Sequence, residues 1–336
     1  MKSNNHIANI GEIQLIEIIE EIVFIETGES LIKDDTFFFQ SHEIQNTLVF
    51  NSDMFVSSTD VPPDMNHFQM GRKSVVMNIS DLIVKGIKPI GIIISLGLPG
   101  DLTISQFKNL IKGIVSYSKN WNIKYLGGDL NKSREIIINP TVFGSKNPDK
   151  IIYRKGLKEG DVVTINSKFG LTSVGFDILI NKKGNLKDYS KYERSIKSVL
   201  EPKILGTEAY FLSEEKLANT SIDSSDGLVK SLRDLMLTNK GFGFEIEINE
   251  DLVDLETFEY SREFDIPLET LILNGGEEFI HLFTISPKNY KRAVKLAQIN
   301  NGYLIKIGKV ISEEKVYFLR DNERREIDSH GYEHFK

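Results

Sequence analysis

The sequence predicts a mixed α/β protein (α+β in character) built as two domains, each a sheet carrying helices. Three observations predict it. The chain has 336 residues, more than one ordinary α+β domain needs. Helix-period and strand-like apolar segments alternate through both halves. A polar stretch, Asn147 to Lys158, carries Pro148 and Gly156 and interrupts that alternation. It sets the expected domains at 1–148 and 149–336.

In the first half, Glu12 to Phe24 spaces Ile13, Ile16, Ile19, Ile22 and Val23 as one apolar helical stripe. Glu17, Glu20 and Glu21 fall on the wet side. Thr47 to Phe50 reads as a strand ending at Asn51-Ser52-Asp53. Ser57 to Asn66, with Pro62-Pro63, reads as a loop. Gln69 to Val84 is a helix with Val75, Val76, Ile79, Leu82 and Ile83 as its apolar set. Asn78 and Asp81, three apart, project from a similar side. Gly86 is a plausible stop and Pro89 cannot continue that helix. Ile90 to Leu98 is nearly all apolar and reads as a buried strand. Thr103 to Trp121 is a second helix, Ile123 to Leu126 a short strand leading into Gly127-Gly128-Asp129, and Ile136 to Gly144 a closing strand.

In the second half, Asp161 to Ile165 is a strand and Gly170 to Asn181 a glycine-led helix. Lys182 to Lys197 is polar and basic and reads as a mobile surface stretch. Helices follow over Glu208 to Leu217 and Gly227 to Leu237, the first leading into Thr220-Ser221-Ile222-Asp223. Phe244 to Ile248 alternates as a strand. Glu269 to Asn274, Gly275-Gly276-Glu277-Glu278 and Phe279 to Ile285 form a glycine–acid corner with a strand. Tyr290 to Gln298 is a surface helix, and Leu304 to Val310 and Lys315 to Leu319 are late strands.

Composition removes several function classes. There is no cysteine, so there is no disulfide, thiolate zinc site, iron–sulfur centre or cysteine nucleophile. Any metal sits on oxygen or imidazole. With six histidines against 48 acidic residues, oxygen donors and hence magnesium or calcium are favoured. The formal net charge of -7, without a basic stripe, argues against nucleic acid. Ile87 to Leu98, the longest apolar run, holds Lys88 and Pro89 and is too short to span a bilayer. With no signal-peptide-like start, the cytoplasm is the expected compartment and no membrane partner is expected.

Aspartates recur beside small residues at element ends: Asp34-Asp35, Asp53, Asp81, Asp129, Asp223 and Asp226. Such an aspartate, taken singly, is most often a cap or turn residue. Asp81 differs, because a carboxylate inside an apolar helix is costly unless paired or metal-bound. Carboxylates brought together repel and require cations or protons between them. Magnesium meets that need and phosphates complete its octahedral shell, which is the logic of phosphoryl transfer. Gly127, Gly128, Gly275 and Gly276 would let backbone approach a phosphate, or are plain turns. No GxxxxGK[ST] loop, GxGxxG fingerprint, HRD or DFG occurs.

The motifs, in order, resemble those of the thiamine-monophosphate kinase family. Its superfamily also holds aminoimidazole ribonucleotide synthetase, selenophosphate synthetase and a hydrogenase-maturation protein. Asp34-Asp35 resembles the family's GDD, and Asn51-Ser52-Asp53-Met54 its S-T-D-M/T. Met77 to Pro89, MNISDLIVKGIKP, resembles MNLSDLAAMGAxP. SLGLPGD (Ser95 to Asp101), GGD (Gly127 to Asp129), RKGLKEGD (Arg154 to Asp161), IDSSDGL (Ile222 to Leu228), NGGEEFIHLFT (Asn274 to Thr284) and GYEHF (Gly331 to Phe335) follow at family-like spacing.

The resemblance implies an aminoimidazole ribonucleotide synthetase-like fold of two domains. The N-terminal sheets would pair across a homodimer, with a mixed C-terminal sheet. It implies ATP and several Mg2+ ions in the interdomain cleft and transfer of the γ-phosphoryl group to thiamine monophosphate. It further implies Asp35, Asp53, Asp81, Asp129, Asp223 and Asp226 as metal ligands, with Asp81, Asp129 and Asp226 central to catalysis. Ser52, Gly128, Arg154 and Ser225 would contact nucleotide or phosphate, and Glu277 and Tyr332 the thiamine side. Departures cluster elsewhere: Lys33 replaces the glycine before the paired aspartates, Ser58-Thr59-Asp60-Val61 replaces a histidine-bearing stretch, and GGDTxRG becomes GGDLNKS. A superfamily enzyme with another small acceptor, or a non-catalytic nucleotide-binding homodimer, is the alternative.

Overall fold

A computed structural model describes residues 12–28, 30, 32–40, 45–181, 186–273, 275–320 and 323–327. The N-terminal elements are α1 (Glu12–Thr27), β1 (Phe37–Phe39), β2 (Thr47–Asn51), β3 (Phe55–Val56), α2 (Ser57–Asp60), α3 (His67–Val84), β4 (Pro89–Leu98), α4 (Ile104–Asn120), β5 (Lys124–Lys132) and β6 (Ile137–Lys146). Their strands form one sheet in the order β1-β2-β6-β4-β5, with β3 beside β6. Only the β4–β5 pair among them is parallel, and α4 makes the crossover between those two strands.

The C-terminal elements are β7 (Val162–Ile165), α5 (Leu171–Phe176), α6 (Glu193–Leu200), α7 (Glu208–Glu214), β8 (Ala218–Ser224), α8 (Leu228–Thr238), β9 (Gly243–Glu247), α9 (Leu255–Glu263), α10 (Leu268–Leu273), β10 (Ile280–Ile285), α11 (Pro287–Ile299), β11 (Ile305–Ile311), β12 (Val316–Arg320) and β13 (Glu323–Glu326). The second sheet runs β13-β12-β9-β11-β7-β10-β8. The result is a mixed two-domain α/β fold.

Local chemistry fixes the two helices beneath the first sheet. Asn66 caps α3 and Thr103 caps α4, each in a reciprocal capping box with a glutamine three residues on, Gln69 and Gln106. The box starts α3 two residues before the expected Gln69. Val75, Val76, Ile79, Leu82 and Ile83 of α3 are fully buried, packed with Leu110 and Ile114 of α4 and Ile92, Ile94 and Val142 of the sheet. The two domains share packing as well. Val84 and Ile152 join Ala209, Leu212, Phe283 and Ile285 in one cluster, while Phe279 reaches the N-terminal core.

Several expectations change. β4 is not buried on both faces: Ile90 and Ile93 are exposed while Ile92 and Ile94 are covered. Helices cover one face of this sheet, so its strand alternates despite an all-apolar sequence. The short strand expected to end at Leu126 does not end there: β5 runs on through Gly127-Gly128-Asp129 to Lys132, with a shift in its register against β4 just before Gly127. Of the expected mobile stretch Lys182 to Lys197, residues 182–185 lie outside the described residues. The rest folds against Tyr260 and Leu271 through Tyr192 and Ile196, and α6 continues to Leu200 with Val199 buried beside them. Helices α9 and α10 and strands β1, β3, β8 and β13 were not expected as such, and the stretch read as a loop from Ser57 opens with the short helix α2. The apolar stripe of α1 is present, but Ile13, Ile16, Ile19 and Ile22 are exposed.

Candidate active site

Four stretches converge where α3 lies against β8. They are Asp34–Asp35 before β1, Asn51–Asp53 at the end of β2, the last two turns of α3, and Asp223 on β8. Asp35, Asp81 and Asp223 each present a carboxylate oxygen, all within 4.8 Å of one another. Asp81 comes from the N-terminal domain and Asp223 from the C-terminal one. Neither domain alone builds the cluster.

Neutral amides hold the N-terminal side in place. Asn51 is buried, and its Nδ2 donates to Asp53 Oδ2 (2.9 Å) and to Asp81 Oδ2 (2.7 Å). Asn78, also buried, accepts from the Asp53 backbone N–H at 2.8 Å and donates from Nδ2 to the Asp53 carbonyl at 3.1 Å. The three-residue spacing of Asn78 and Asp81 on α3 thus serves one purpose: both grip the chain leaving β2.

The charges divide unequally. Asp35 is enclosed by cations: Arg154 Nε donates to its Oδ1 at 2.6 Å, and Lys85 Nζ contacts its Oδ2. Burial alone would raise its pKa, yet Arg154 and Lys85 hold it below the ordinary value. Asp81, Asp53 and Asp223 behave oppositely. Burial first, then the Asp223, Asp53 and Asp35 charges, push Asp81 well above the usual carboxylate range. Burial also raises Asp53. Burial and the Asp35 charge carry Asp223 to about 7, against a hydrogen bond from Ser80. One oxygen of Asp223, Oδ2, has no hydrogen-bond partner among the described residues. Hard oxygen donors, crowded together and short of positive charge, fit a divalent cation such as Mg2+. His281 pairs with Asp223 across β10 and β8 and sits 3.5 Å from Ser80 through Nε2. Burial lowers it to about 3, so it brings no charge.

The other expected residues fall around this centre. Arg154 faces Asp35 instead of open space, and its backbone N–H donates to Asp34 Oδ2 at 2.8 Å. Ser225 and Asp226 form the turn after β8; Ser225 is exposed and Asp226 half-buried. Gly227 ends that turn at φ 95°, where a Cβ would lie 2.4 Å from the Gly275 carbonyl. Glu277 follows on the facing loop, where its N–H donates to the Ser225 carbonyl at 2.5 Å. Its Oε1 meets Lys73 Nζ at 2.5 Å. Ser52 is exposed and donates to the Pro140 carbonyl at 3.1 Å.

Asp129 is not a member of the three-carboxylate cluster. It is exposed on edge strand β5, opposite Ser95, which in turn faces Asn139. Two strand spacings, about 10 Å, separate it from Asn139, whose Oδ1 lies 3.2 Å from Ser52 Oγ. Gly128 has a packing reason of its own, since a Cβ there would stand 1.8 Å from the Ile94 carbonyl. Tyr332 lies outside the described residues.

Sequence reasoning missed Asn51, Lys73, Ser80 and Lys85 as site residues. Asn51 was visible inside the stretch Asn51-Ser52-Asp53-Met54. Lys85 gave no signal, because a lysine ending an apolar helix reads as an ordinary partner of the helix dipole.

Residues 33–145 match the family described as AIR synthase related protein, N-terminal domain. The thiamine-monophosphate kinase of Nitrosopumilus maritimus (strain SCM1) is 32% identical over 294 residues, 88% of this chain and 91% of that protein. The thiamine-monophosphate kinase of Pyrococcus horikoshii is 31% identical over 94% of each chain. The structure of AaThiL complexed with AMPPCP and TMP shares the fold, with a TM-score of 0.82 at 23% identity over 99% of both chains. Near-full-length similarity and a shared two-domain fold lead to one assignment: the chain belongs to the thiamine-monophosphate kinase family.

Proposed function

We propose that the chain transfers the γ-phosphoryl group of ATP to thiamine monophosphate, giving thiamine diphosphate and ADP, with Mg2+ held at the interdomain acidic cluster. The observation that carries this reading is the meeting of Asp35, Asp81 and Asp223 from both domains. The relatives named thiamine-monophosphate kinase and the ligands of AaThiL support the nucleotide and the acceptor.

Asp81, Asp223 and Asp53 are the proposed principal ligands, with Asp35 beside them. Asp226 and Asp129 are proposed to complete the shell from the turn after β8 and from β5. Mg2+ at these carboxylates supplies charge neutralisation at the phosphate oxygens. Asn51 and Asn78 fix the direction of Asp53 and Asp81. Ser52, Ser225 and the Gly128 backbone line the approach of the nucleotide, and Arg154 fixes Asp35. Glu277 and Tyr332 are proposed on the acceptor side. The acceptor phosphate is already ionised, so the site needs positioning more than a strong base.

Among the described residues, no helix is long and apolar enough to cross a membrane. We assign the protein to the cytoplasm, where its nucleotide is found. We also propose a homodimer through the open face and edge of the first sheet. That reading is supported by exposed Phe37, Phe39, Ile90, Ile93, Leu126 and Leu130. Light scattering on the purified protein tests it.

The catalytic test is an acceptor screen with ATP and Mg2+, read by mass spectrometry. Thiamine diphosphate should form only when thiamine monophosphate is present. Turnover with a different acceptor, or none with any, rejects the assignment.

A further inference from the structure

Lys85 is fully buried, and its ammonium meets three oxygens, one as a hydrogen bond and two as ion pairs. They are Asp34 Oδ1 at 2.7 Å, Asp35 Oδ2, and the Ser221 carbonyl at 2.8 Å. With Arg154 on the other oxygen of Asp35, two cations stand against two carboxylates, and this corner is neutral without any bound ion. The rest of the cluster differs. Asp53 and Asp81 share the neutral amide of Asn51 and no ion pair is seen on either among the described residues, and one oxygen of Asp223 has no hydrogen-bond partner there.

We propose that Lys85 is a resident cation: its ammonium neutralises the Asp34–Asp35 corner in place of a divalent ion, and so lowers the number of divalent ions the cluster takes up. A buried carboxylate pair must be matched by positive charge from some source. Here the chain supplies it covalently. The same ammonium ties residues 34–35 to β8 through Ser221, so the corner stays assembled when no ion is bound. Lys85 is a positioning residue in this reading, since it reaches the reacting groups only through Asp34 and Asp35. The proposal rests on the cation-binding reading of the cluster.

The test counts Mn2+ per full-length chain by electron paramagnetic resonance in wild type, in Lys85→Met, and in Lys85→Met with Asp34→Asn. The single variant leaves one buried negative charge unmatched, and the double variant removes it. The expected result is one additional Mn2+ per chain in the single variant and the wild-type number in the double. Thermal unfolding should show the single variant less stable than wild type in EDTA and restored by Mn2+.

An unchanged Mn2+ count in the single variant overturns the proposal while leaving the cluster reading intact. A wild type that binds no Mn2+ overturns both. If the single variant is recovered unfolded, circular dichroism after Mn2+ addition decides. Refolding supports the proposal. Failure to refold, whether or not the double variant folds, overturns it.

Discussion

Lys73 and Glu277 meet across the two domains, with Lys73 Nζ 2.5 Å from Glu277 Oε1. Lys73 is fully buried in α3. The Glu277 side chain is mostly covered, and its Oε2 is buried with no hydrogen-bond partner among the described residues. Lys73 Nζ also donates to the Asp60 carbonyl at 2.7 Å. Removing either charge therefore leaves the other buried and unmatched. Glu277→Gln and Lys73→Met should each cost about 3 kcal/mol. Urea unfolding of both variants measures this, and a loss well under about 1 kcal/mol in Lys73→Met would show that water reaches the carboxylate.

Asp81→Asn should separate stability from activity. Without divalent ions, Asp81 is a buried carboxylate facing Asp53 and Asp223. Its neutral replacement still accepts from Asn51. The variant should unfold about 2 °C or more above wild type in EDTA. Added Mg2+ should stabilise it less than wild type, and kinase turnover should fall by roughly 100-fold or more. Differential scanning calorimetry with and without Mg2+ reads the first two effects.

Glu278 gives the clearest pH dependence outside the cluster. It is buried, accepts from the Gly170 N–H at 2.6 Å, and burial pushes its pKa from 4.5 to about 7. Between those values the folded state binds more protons than the unfolded one, so stability falls as pH rises through that window and is flat above it. The span corresponds to about 3 kcal/mol at most. Asp223, free of cations, adds a loss of the same sign. Glu278→Gln keeps the acceptor without the charge. It should raise the unfolding temperature at pH 8 and have little effect at pH 4.5. A Tm gain of the same size at both values would contradict the assignment.

Gly128→Ala should destabilise the protein by about 3 kcal/mol or more whether or not nucleotide is present, because the added carbon would meet the Ile94 carbonyl. If the variant unfolds like wild type and loses only nucleotide affinity, the demand for glycine is functional instead. Denaturant melts with and without ATP distinguish the two.

The helices α3 and α4 were legible because their apolar spacing is regular and tertiary contacts reinforce it; the Asn66 cap was not read, so α3 was expected to begin at Gln69 and not at His67. Asp81 was legible for the opposite reason: it breaks an apolar helix, and only a charged environment explains it. The site's cations were not. Lys85 and Lys73 look like any helical lysines until residues far off in the chain, Asp34 and Glu277, are brought to them. Strand β4 misled because Ile90 and Ile93 carry the same chemistry as Ile92 and Ile94, and nothing in the residue types says which face lies open. Gly127-Gly128 misled because a glycine pair signals a turn, whereas here Gly128 permits two parallel strands to come close and Gly127 has open space beside it at φ 130°.

Asp81 rides on α3 and Asp223 on β8, so under the proposed cation site an ion gripping both would fasten the two sheets to each other. By thermodynamic reciprocity, whatever drew those elements apart would then release the ion more readily.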